Sequence, residues 1–354
     1  MFETVVFNVA GKPLSHKACR LSASAEGAVR EASFTVAHTG DGVPCQPDDP
    51  ATITVSGDLW GAGFVRDVRG SHGEADRSYE VTFVSRTIDA VECSIDHPSG
   101  YKKDCDLLDI AREFDTLGIG VEGNPKTERK ARHKVVPGES LFQTLETDAR
   151  AQGVLIQDTE KGKLKLADKP EGRHAGGLVR GKNIKQAEAQ ITGAGRFSSV
   201  KVRGQNSTGV TAPALRSEGS ANDAGVKRNR PRILTYEGEA TSARLKKRAK
   251  WEAQRGAGNG TSCSIVTPGW RDGAGRLWTR NFLVAVDDSW LGINQDMVIA
   301  EVALEQGADE NEGTRATLSL KDPRALGGDN PRGSSASGWG APSASDPAYR
   351  DEGE

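Results

Sequence analysis

The sequence predicts a mainly β protein with α/β insertions, built from two β modules of the barrel or sandwich type and one small helix–hairpin module. Two long stretches, residues 2–93 and 198–320, carry apolar residues at alternate positions in several segments. A period of two is typical of strands with one face in a core and the other in water or against a partner. Between them the apolar spacing becomes helical. Neither β stretch carries a recognisable catalytic pattern, which favours a protein that works as a shaped part.

The composition fits this fold class. The chain has 354 residues, of which 36% are hydrophobic and 42 are glycine, as expected for two or three turn-rich β domains. Its 47 Lys and Arg residues nearly balance 49 Asp and Glu residues, so the net charge of −2 gives no general attraction to nucleic acid or to an anionic membrane. No secretion signal or membrane-length apolar run is recognisable. We expect a chain that folds in the cytoplasm with its five cysteines as thiols.

Residues 1–95 are predicted to form the first β module. Tyr79, Val81 and Phe83 alternate with polar residues and mark one of its strands. The turns between the strands are rich in Gly, Pro and Asp and lie at residues 10–13, 40–50 and 70–76. Short strands at this spacing indicate a sandwich or a small barrel.

Residues 96–175 are predicted to form the helix–hairpin module. The first helix is indicated by apolar residues at helical spacing, namely Leu107, Ala111, Phe114 and Leu117, and Gly118 is the expected C-cap. The second helix should begin at a capping box formed by Ser140 and Gln143 and end at Gly153. A hairpin around Gly162 should follow it.

The second β module is predicted to comprise residues 176–208 and 262–322, with Val200 and Val202 in its first strand. Residues 209–261 interrupt it as a basic insertion whose helix, at about 241–255, has one modest apolar stripe. Residues 323–354 are rich in Gly, Ser and Pro and are expected to be a flexible tail.

Patterns that could carry chemistry are few. Residues 176–183 fit the G-x-x-x-x-G-K part of a phosphate loop, but Asn183 replaces the hydroxyl residue that such a loop uses for magnesium. We interpret these residues as a linker. The alternative hypothesis is a nucleotide-dependent function of the protein that would use Lys182. The histidines show no metal-ligand spacing, and no nucleophile motif is present. We expect no catalytic, cofactor or metal site.

The basic insertion is the strongest remaining functional signal. Residues 223–255 hold ten Lys and Arg against four Asp and Glu, a local net of +6. Aromatic residues that could stack on bases are sparse there, which favours a protein partner over nucleic acid. A solvated helix face with aliphatic stems over neighbouring residues is the structural alternative. The interface or packing candidates in this segment are Arg228, Arg230, Arg232 and Trp251.

Five stretches, in their order, carry a resemblance to a known family. They are residues 52–68, the helix start at 138–145, residues 223–232, residues 267–281 and the ending at 313–320. With β module, helix–hairpin module and interrupted β module in this sequence, the chain resembles the baseplate hub proteins of contractile phage tails, of the Mu-like tail protein P family.

The resemblance implies a structural role in the baseplate of a phage or phage-like tail. Members of that family are homotrimers with two tube-like β-barrels per subunit, so three copies form a pseudo-sixfold ring. Such a ring joins the sixfold tail tube, or its initiator protein, to a trimeric central spike. Wedge proteins would be further partners, DNA would at most pass through the lumen, and neither an enzyme activity nor membrane insertion is implied.

Two expectations remain open beside this reading. Residues 136–167 begin like a peptidoglycan-binding LysM module, but a hairpin is predicted where that module has its second helix, so a peptidoglycan-binding tail component is the alternative function. Trp270 and Trp278 are predicted to anchor either the core of the second module or its interface, since Trp often fills well-packed central pockets.

Overall fold

The computed structural model describes residues 3–37, 40, 42–74, 77–204, 217–236, 240–307, 313–328 and 331. The mainly β class is confirmed. The first part of the chain forms seven strands: β1 (Val5–Val9), β2 (Lys12–Pro13), β3 (His16–Ser24), β4 (Glu31–Val36), β5 (Pro50–Val55), β6 (Asp58–His72) and β7 (Arg77–Ser85). Burial alternates along β4 and along β5, as their apolar periodicity predicts.

The helix–hairpin region follows. It contains α1 (Ile88–Glu92), β8 (Tyr101–Cys105), α2 (Leu107–Glu113), β9 (Val121–Gly123), β10 (Lys130–Lys134), α3 (Leu141–Gln152), β11 (Leu155–Asp158) and β12 (Leu164–Ala167). The predicted capping box at Ser140 and Gln143 is confirmed, as are the left-handed cap at Gly153 and the antiparallel hairpin of β11 and β12. The predicted cap at Gly118 is wrong, because α2 already ends at Glu113 with Phe114 as its cap.

The remaining elements belong to the second β region and its insertion. They are β13 (Gly172–Arg173), β14 (Leu178–Val179), β15 (Gln186–Ile191), β16 (Ser199–Gly204), β17 (Ser217–Asn222), β18 (Pro231–Thr235), α4 (Ser242–Gly258), β19 (Thr261–Pro268), β20 (Phe282–Asp288), β21 (Ile293–Gln306), β22 (Thr314–Lys321) and a 3₁₀ turn (Pro323–Leu326). The predicted helix in the insertion is confirmed by α4, whose apolar stripe is buried. Residues 209–216 and 237–239 of the insertion, and 329–330 and 332–354 of the predicted tail, lie outside the described residues.

One large sheet joins the two β regions. Its order is β15-β19-β22-β21-β3-β4-β7-β6-β5-β1-β2, with β20 on β21 and with β13 and β14 on β20. The link is antiparallel pairing between β21 and β3, two strands about 280 residues apart in the chain. The order of strand pairing among the described residues is open, so the sheet is not closed into a barrel by hydrogen bonds. A single apolar cluster contains residues of both regions, including Phe7, Phe83, Trp270 and Leu318.

Strand β16 departs from the sequence prediction. Val200 and Val202 were expected to begin the second β module, but β16 pairs with β17 and β18 in a separate three-stranded sheet. This sheet packs on α4, and its two valines are buried with Leu245 of that helix in a small core of their own. Alternation alone predicts a strand but not its neighbours, because both sheets offer an apolar face.

Candidate assembly interface

The two β regions share one strand order. In the first, the order β3-β4-β7-β6-β5 is the path through the sheet, and in the second it is β15-β19-β22-β21-β20. In each run, the strands lie side by side in the order first, second, fifth, fourth and third along the chain. Every pairing within both runs is antiparallel. The chain therefore contains the same five-stranded arrangement twice.

Local irregularities repeat with the strand order. The β6–β7 pairing shifts register between Val65 and Asp67, and the β21–β22 pairing shifts between Ile299 and Glu301, each with six residue pairs between the bulge and the turn. A non-glycine residue in the left-handed region donates its N–H to the carbonyl just before each bulge. The Asp48 N–H (φ 70°) donates to the Val65 carbonyl at 2.9 Å, and the Asn281 N–H (φ 58°) donates to the Ile299 carbonyl at 2.8 Å. Bulges and left-handed residues have specific backbone requirements, so their coincidence indicates equivalent positions.

The two regions differ at one edge. Beyond its pairing with β20, strand β21 continues along β3, so both of its edges are satisfied. Beyond its pairing with β5, residues 66–72 of β6 pair only with β7 among the residues that the structure describes. Strand β15 likewise pairs only with β19. Unpaired edges present rows of backbone donors and acceptors to another chain, so β6 and β15 are candidate assembly surfaces.

The candidate tryptophans lie in the protein core. Trp270 is fully buried, and its Nε1 donates to the carbonyl oxygens of Arg315 at 2.9 Å and Glu305 at 3.2 Å, across the β21–β22 hairpin. Trp278 is 5% exposed, and its ring centroid lies 4.8 Å from that of His174. Both side chains can therefore hold the second β region together within one subunit, and a role at an interface stays a prediction.

A buried imidazole orients the loop that carries Trp278. His174 Nδ1 lies 2.8 Å from Asp272 Oδ2, and His174 Nε2 accepts from the backbone N–H of Thr279 at 3.1 Å. The accepting Nε2 places the ring proton on Nδ1, so the ring is neutral and donates to the carboxylate. Burial lowers the pKa of His174 despite the adjacent carboxylate. With both nitrogens engaged, this pair positions the loop and is not available as a base.

Three buried charges join the helix–hairpin region to both β regions. Asp158 at the end of β11 accepts from Arg30 Nε at 2.6 Å and also pairs with Arg280 Nη2. The Arg30 and Arg280 side chains are each 5% exposed, and that of Asp158 is 0% exposed. Burial lowers the pKa of Arg280, while Asp158 opposes this effect. Sequence reasoning missed this cluster, because no local pattern relates residues so far apart in the chain.

The basic candidates lie mostly on aromatic rings. The guanidinium groups of Arg230 and Arg232 lie 5.5 and 5.1 Å from the ring centroid of Phe197, and Arg230 also donates to the Gly193 carbonyl at 2.6 Å. Arg228 is exposed. These contacts give the basic segment a packing role, while a partner for it stays a prediction.

Trp251 has a similar setting on α4. Arg248 and Arg255 lie 4.8 and 5.0 Å from its ring centroid. Its indole meets α3 at Gly153, where a Cβ atom would come within 2.4 Å of Trp251 Nε1. Gly153 is therefore required twice, for its positive φ and for this close approach.

Trp290 is the most exposed of the large hydrophobic side chains among the described residues, at 80%. It lies in the turn between β20 and β21, 5.7 Å from the guanidinium of Arg180 measured to the ring centroid. Sequence reasoning missed it, although an indole within the turn sequence of residues 287–292 is a recognisable signal. An exposed indole with a cation beside it is typical of a contact surface.

The remaining motifs fold into local structure. The Asn183 side chain accepts from the Val179 N–H and donates to the Gly177 carbonyl, both at 2.8 Å, and β15 follows where a phosphate loop has a helix. In the LysM-like segment, α3 leads through Gly153 directly into β11 and β12. Across the described ranges, no cluster of three metal-ligating side chains occurs. Nor does that part of the chain contain a helix long and apolar enough to cross a membrane.

Comparisons with known proteins relate the chain to phage tails. Residues 241–328 match the family model of the Mu phage baseplate assembly protein GpP, fourth domain, and residues 87–168 match the baseplate hub protein gp44-like, second domain. Baseplate hub protein gp44 of Escherichia phage Mu is 25% identical over 292 residues, which cover 78% of this chain and 76% of that protein.

Solved structures agree with this. The 43 kDa tail protein of prophage MuSo2 from Shewanella oneidensis is 26% identical, with a TM-score of 0.79 over 91% of this chain and 99% of that one. A tail protein from Neisseria meningitidis MC58 shares the fold at 18% identity, with a TM-score of 0.76 over 93% of this chain and 100% of its own. The resemblance to Mu-like baseplate hub proteins is thereby confirmed.

Proposed function

Because the chain resembles the baseplate hub proteins of Mu-like tails, we propose that it is such a hub and that three copies of it form a ring with pseudo-sixfold symmetry. The observation that carries this proposal is the repeated strand order, β3-β4-β7-β6-β5 and β15-β19-β22-β21-β20. Each chain contributes two similar β units, so a threefold axis generates six of them. A cyclic oligomer with one repeated contact closes without leaving an open edge.

Such a ring would adapt one symmetry to another. Six similar units would match a sixfold tail tube or its initiator protein on one side, and three identical chains would match a trimeric spike on the other. The exposed Trp290 and the basic segment with Arg228 are surfaces that could contact these proteins or the surrounding wedge proteins. DNA would pass through the lumen without a dedicated site.

The role would be mechanical and not catalytic. The His174–Asp272 pair resembles a catalytic dyad, but its imidazole is closed off by the Thr279 N–H. Burial raises the pKa of the Cys19 and Cys263 thiols to about 12, which makes them poor nucleophiles. These observations support a part whose function is its shape.

Solution mass tests the ring directly. Light scattering on the full chain should give three times the 37.6 kDa of one chain, and negative-stain images should show a particle with a central hole. A persistent single-chain mass across concentration would contradict the trimer. Pull-down on insoluble peptidoglycan tests the alternative, and retention there would favour a cell-wall-binding component.

A further inference from the structure

We infer that β6 of one copy pairs with β15 of the next copy, antiparallel, with Val68 opposite Ile191. This inference rests on the trimer proposed above and specifies the backbone contact that would close it. The template is inside the chain, where β21 pairs with β3. In the repeated strand order, β21 is the equivalent of β6, and β3 is the equivalent of β15.

The bulges fix the equivalence of β6 and β21 residue by residue. Asp67 and Glu301 are the first residues after the two bulges, and each strand continues for five more residues to its turn. Residues 67–72 of β6 therefore correspond to residues 301–306 of β21. The paired part of each strand ends after these six pairs, so a shift of one position would misalign both the bulges and the ends of the pairing.

The equivalence of β3 and β15 follows across the sheet. Phe83 of β7 and Leu320 of β22 are equivalent, because each pairs with the last residue before a bulge. Ala32 of β4 pairs with Phe83, and Cys263 of β19 pairs with Leu320, so Ala32 and Cys263 are equivalent too. The next strands then align Ala18 of β3 with Gln186 of β15. In this alignment, residues 19–24 correspond to residues 187–192.

Transferring the known pairing gives the register between copies. Within the chain, residues 301–306 pair with residues 24–19. Residues 67–72 of one copy should then pair with residues 192–187 of the next. Val68 lies opposite Ile191, Arg69 opposite Gln190, and Gly70 opposite Ala189.

Backbone hydrogen bonds give an independent check of this register. The Thr192 N–H donates to the Gly260 carbonyl at 3.0 Å, so by alternation residues 187, 189 and 191 of β15 direct their N–H groups away from β19. In the template, the Ala25 N–H donates to the Ala300 carbonyl at 2.7 Å, so the alternate residues Ala23 and Leu21 bond toward β21. In the transferred register, Ile191 takes the position of Ala23 and Ala189 takes that of Leu21. The backbone N–H groups of Ile191 and Ala189 are among those that point away from β19, as the predicted pairing requires.

The side chains also match. Val68, Ala187 and Ala189 already pack against the shared apolar cluster, and the 44% exposed Ile191 would be covered by Val68 of the neighbour. On the other face, Arg69 lies diagonal to Glu188, within reach of an opposite-charge contact. One face of the new pair thus extends the core and the other is complementary in charge.

We take the occupant of this edge to be a second copy of the chain. Within one chain, β15 and β6 are separated in the sheet by six strands, β19, β22, β21, β3, β4 and β7. At about 4.8 Å per strand this is a path of roughly 34 Å. Strand β15 of each copy is available to β6 of another, and the contact is of two different surfaces, which can close into a ring under rotation.

A pair of cysteines tests the register. Arg69→Cys with Gln190→Cys, in a background where the exposed Cys93 is replaced by Ser, places two thiols opposite each other across the predicted contact. Residues facing each other at a non-hydrogen-bonded position have Cα atoms about 4.5 Å apart, which a disulfide can span. The matched control is Arg69→Cys with Gln186→Cys, on the same face but about 13 Å away along the strand.

Oxidation of the first variant should give covalent dimers and trimers on a denaturing gel, and the control should remain a single chain. A particle of trimer mass in which the first pair does not cross-link, or in which both pairs cross-link equally, would overturn the register and leave the ring standing. A single-chain mass for the unmodified protein would overturn the ring and the inference with it.

Discussion

The two β regions are built alike, yet they treat the same edge differently. Past its bulge, β21 runs along β3 and is largely buried, with Val302, Ala303 and Leu304 enclosed. Past its own bulge, β6 continues as Asp67-Val68-Arg69 and is mostly exposed. Among the described residues, chain connectivity supplies β3 to one region and no strand to the other. Charges at such an edge protect it from indiscriminate pairing until the correct strand arrives.

The largest expected effect concerns the core that the two regions share. Trp270→Ala should lower the free energy of unfolding by about 3–5 kcal/mol, because it removes a fully buried indole from a packed cluster. Trp290→Ala is the matched control and should change it by less than about 0.5 kcal/mol, since that side chain is 80% exposed. Chemical denaturation followed by circular dichroism measures both.

Trp278→Ala separates packing from assembly. A loss of about 3–5 kcal/mol would place Trp278 in the core, whereas normal folding with a lost trimer would make it an interface anchor. No effect on either quantity would contradict both roles.

The next effect concerns the charges that fasten the helix–hairpin region to both β regions. Asp158→Ala should destabilise the chain by about 3–5 kcal/mol, because it leaves Arg30 and Arg280 buried beside each other without their shared carboxylate. Glu160→Ala, at a side chain that is 52% exposed near Arg30, should cost less than about 1 kcal/mol. Equal losses in the two variants, measured by urea denaturation, would show that the cluster does not act through Asp158.

Assembly should be separable from folding at β15. Ala189→Pro removes an N–H that points away from β19, so it should abolish the trimer and change the free energy of unfolding by no more than about 1 kcal/mol. Ala189→Ser retains the donor and should retain the trimer. Light scattering and thermal unfolding of both variants provide the measurements, and a trimer that survives Ala189→Pro would exclude β15 from the contact.

A smaller effect is expected from the charges across the same contact. Arg69→Glu places like charges diagonally across the strands and should weaken assembly by about two- to fivefold, the size of a cross-strand pair energy of up to about 1 kcal/mol. Glu188→Arg in the same chain should restore it, because the charges are then exchanged. Sedimentation at low ionic strength measures both, and a failure of the double variant to recover would remove this pair from the interface.

The smallest expected effect is the pH dependence of the second β region. Burial lowers the pKa of His174 below that of the unfolded chain, so the unfolded state takes up a proton first as pH falls. Stability should therefore decrease as pH falls below about 6.5, the ordinary value for a histidine. His174→Gln should flatten this decrease in unfolding measurements between pH 7 and 5. Burial also lowers the pKa of His16, which should leave a residual slope.

Asp272 acts at lower pH with the same sign. Burial opposes its ionisation, but hydrogen bonds from His174 and from backbone N–H groups outweigh this and hold its pKa below the ordinary value. The contribution of Asp272 to stability is present above that ordinary value and is lost as pH falls through the lower pKa of the folded state.

A stability profile that is unchanged in His174→Gln from pH 7 to 5 would contradict the assignment of the decrease in that range to His174.

Sequence reasoning was most successful where a structure depends on neighbouring residues. Ser140 and Gln143 form the predicted capping box, and Gly153 adopts the predicted left-handed cap, because both depend on residues within one helical turn. Alternating apolar residues likewise predicted strands in both β regions. The family resemblance, carried by the order of several motifs, added the tail baseplate to this reading.

The candidate site was predicted less well. Trp270 and Trp278 were assigned either to the core or to an interface and are buried within one chain, but Trp290 and the edge of β6 were not singled out. Exposure is a property of the folded surface, and an unpaired edge is defined only once every neighbouring strand has its place.

The sequence by itself determined where most of the strands and helices form and which of their faces are apolar, since these follow from local spacing and backbone preference. Only the tertiary structure decided that β21 pairs with β3, that β16 leaves the large sheet, and that Arg30, Asp158 and Arg280 meet in the interior. Each of these depends on residues far apart in the chain whose contact is set by competition among many possible partners. Periodicity gives a strand its two faces, but only the folded chain gives it two edges.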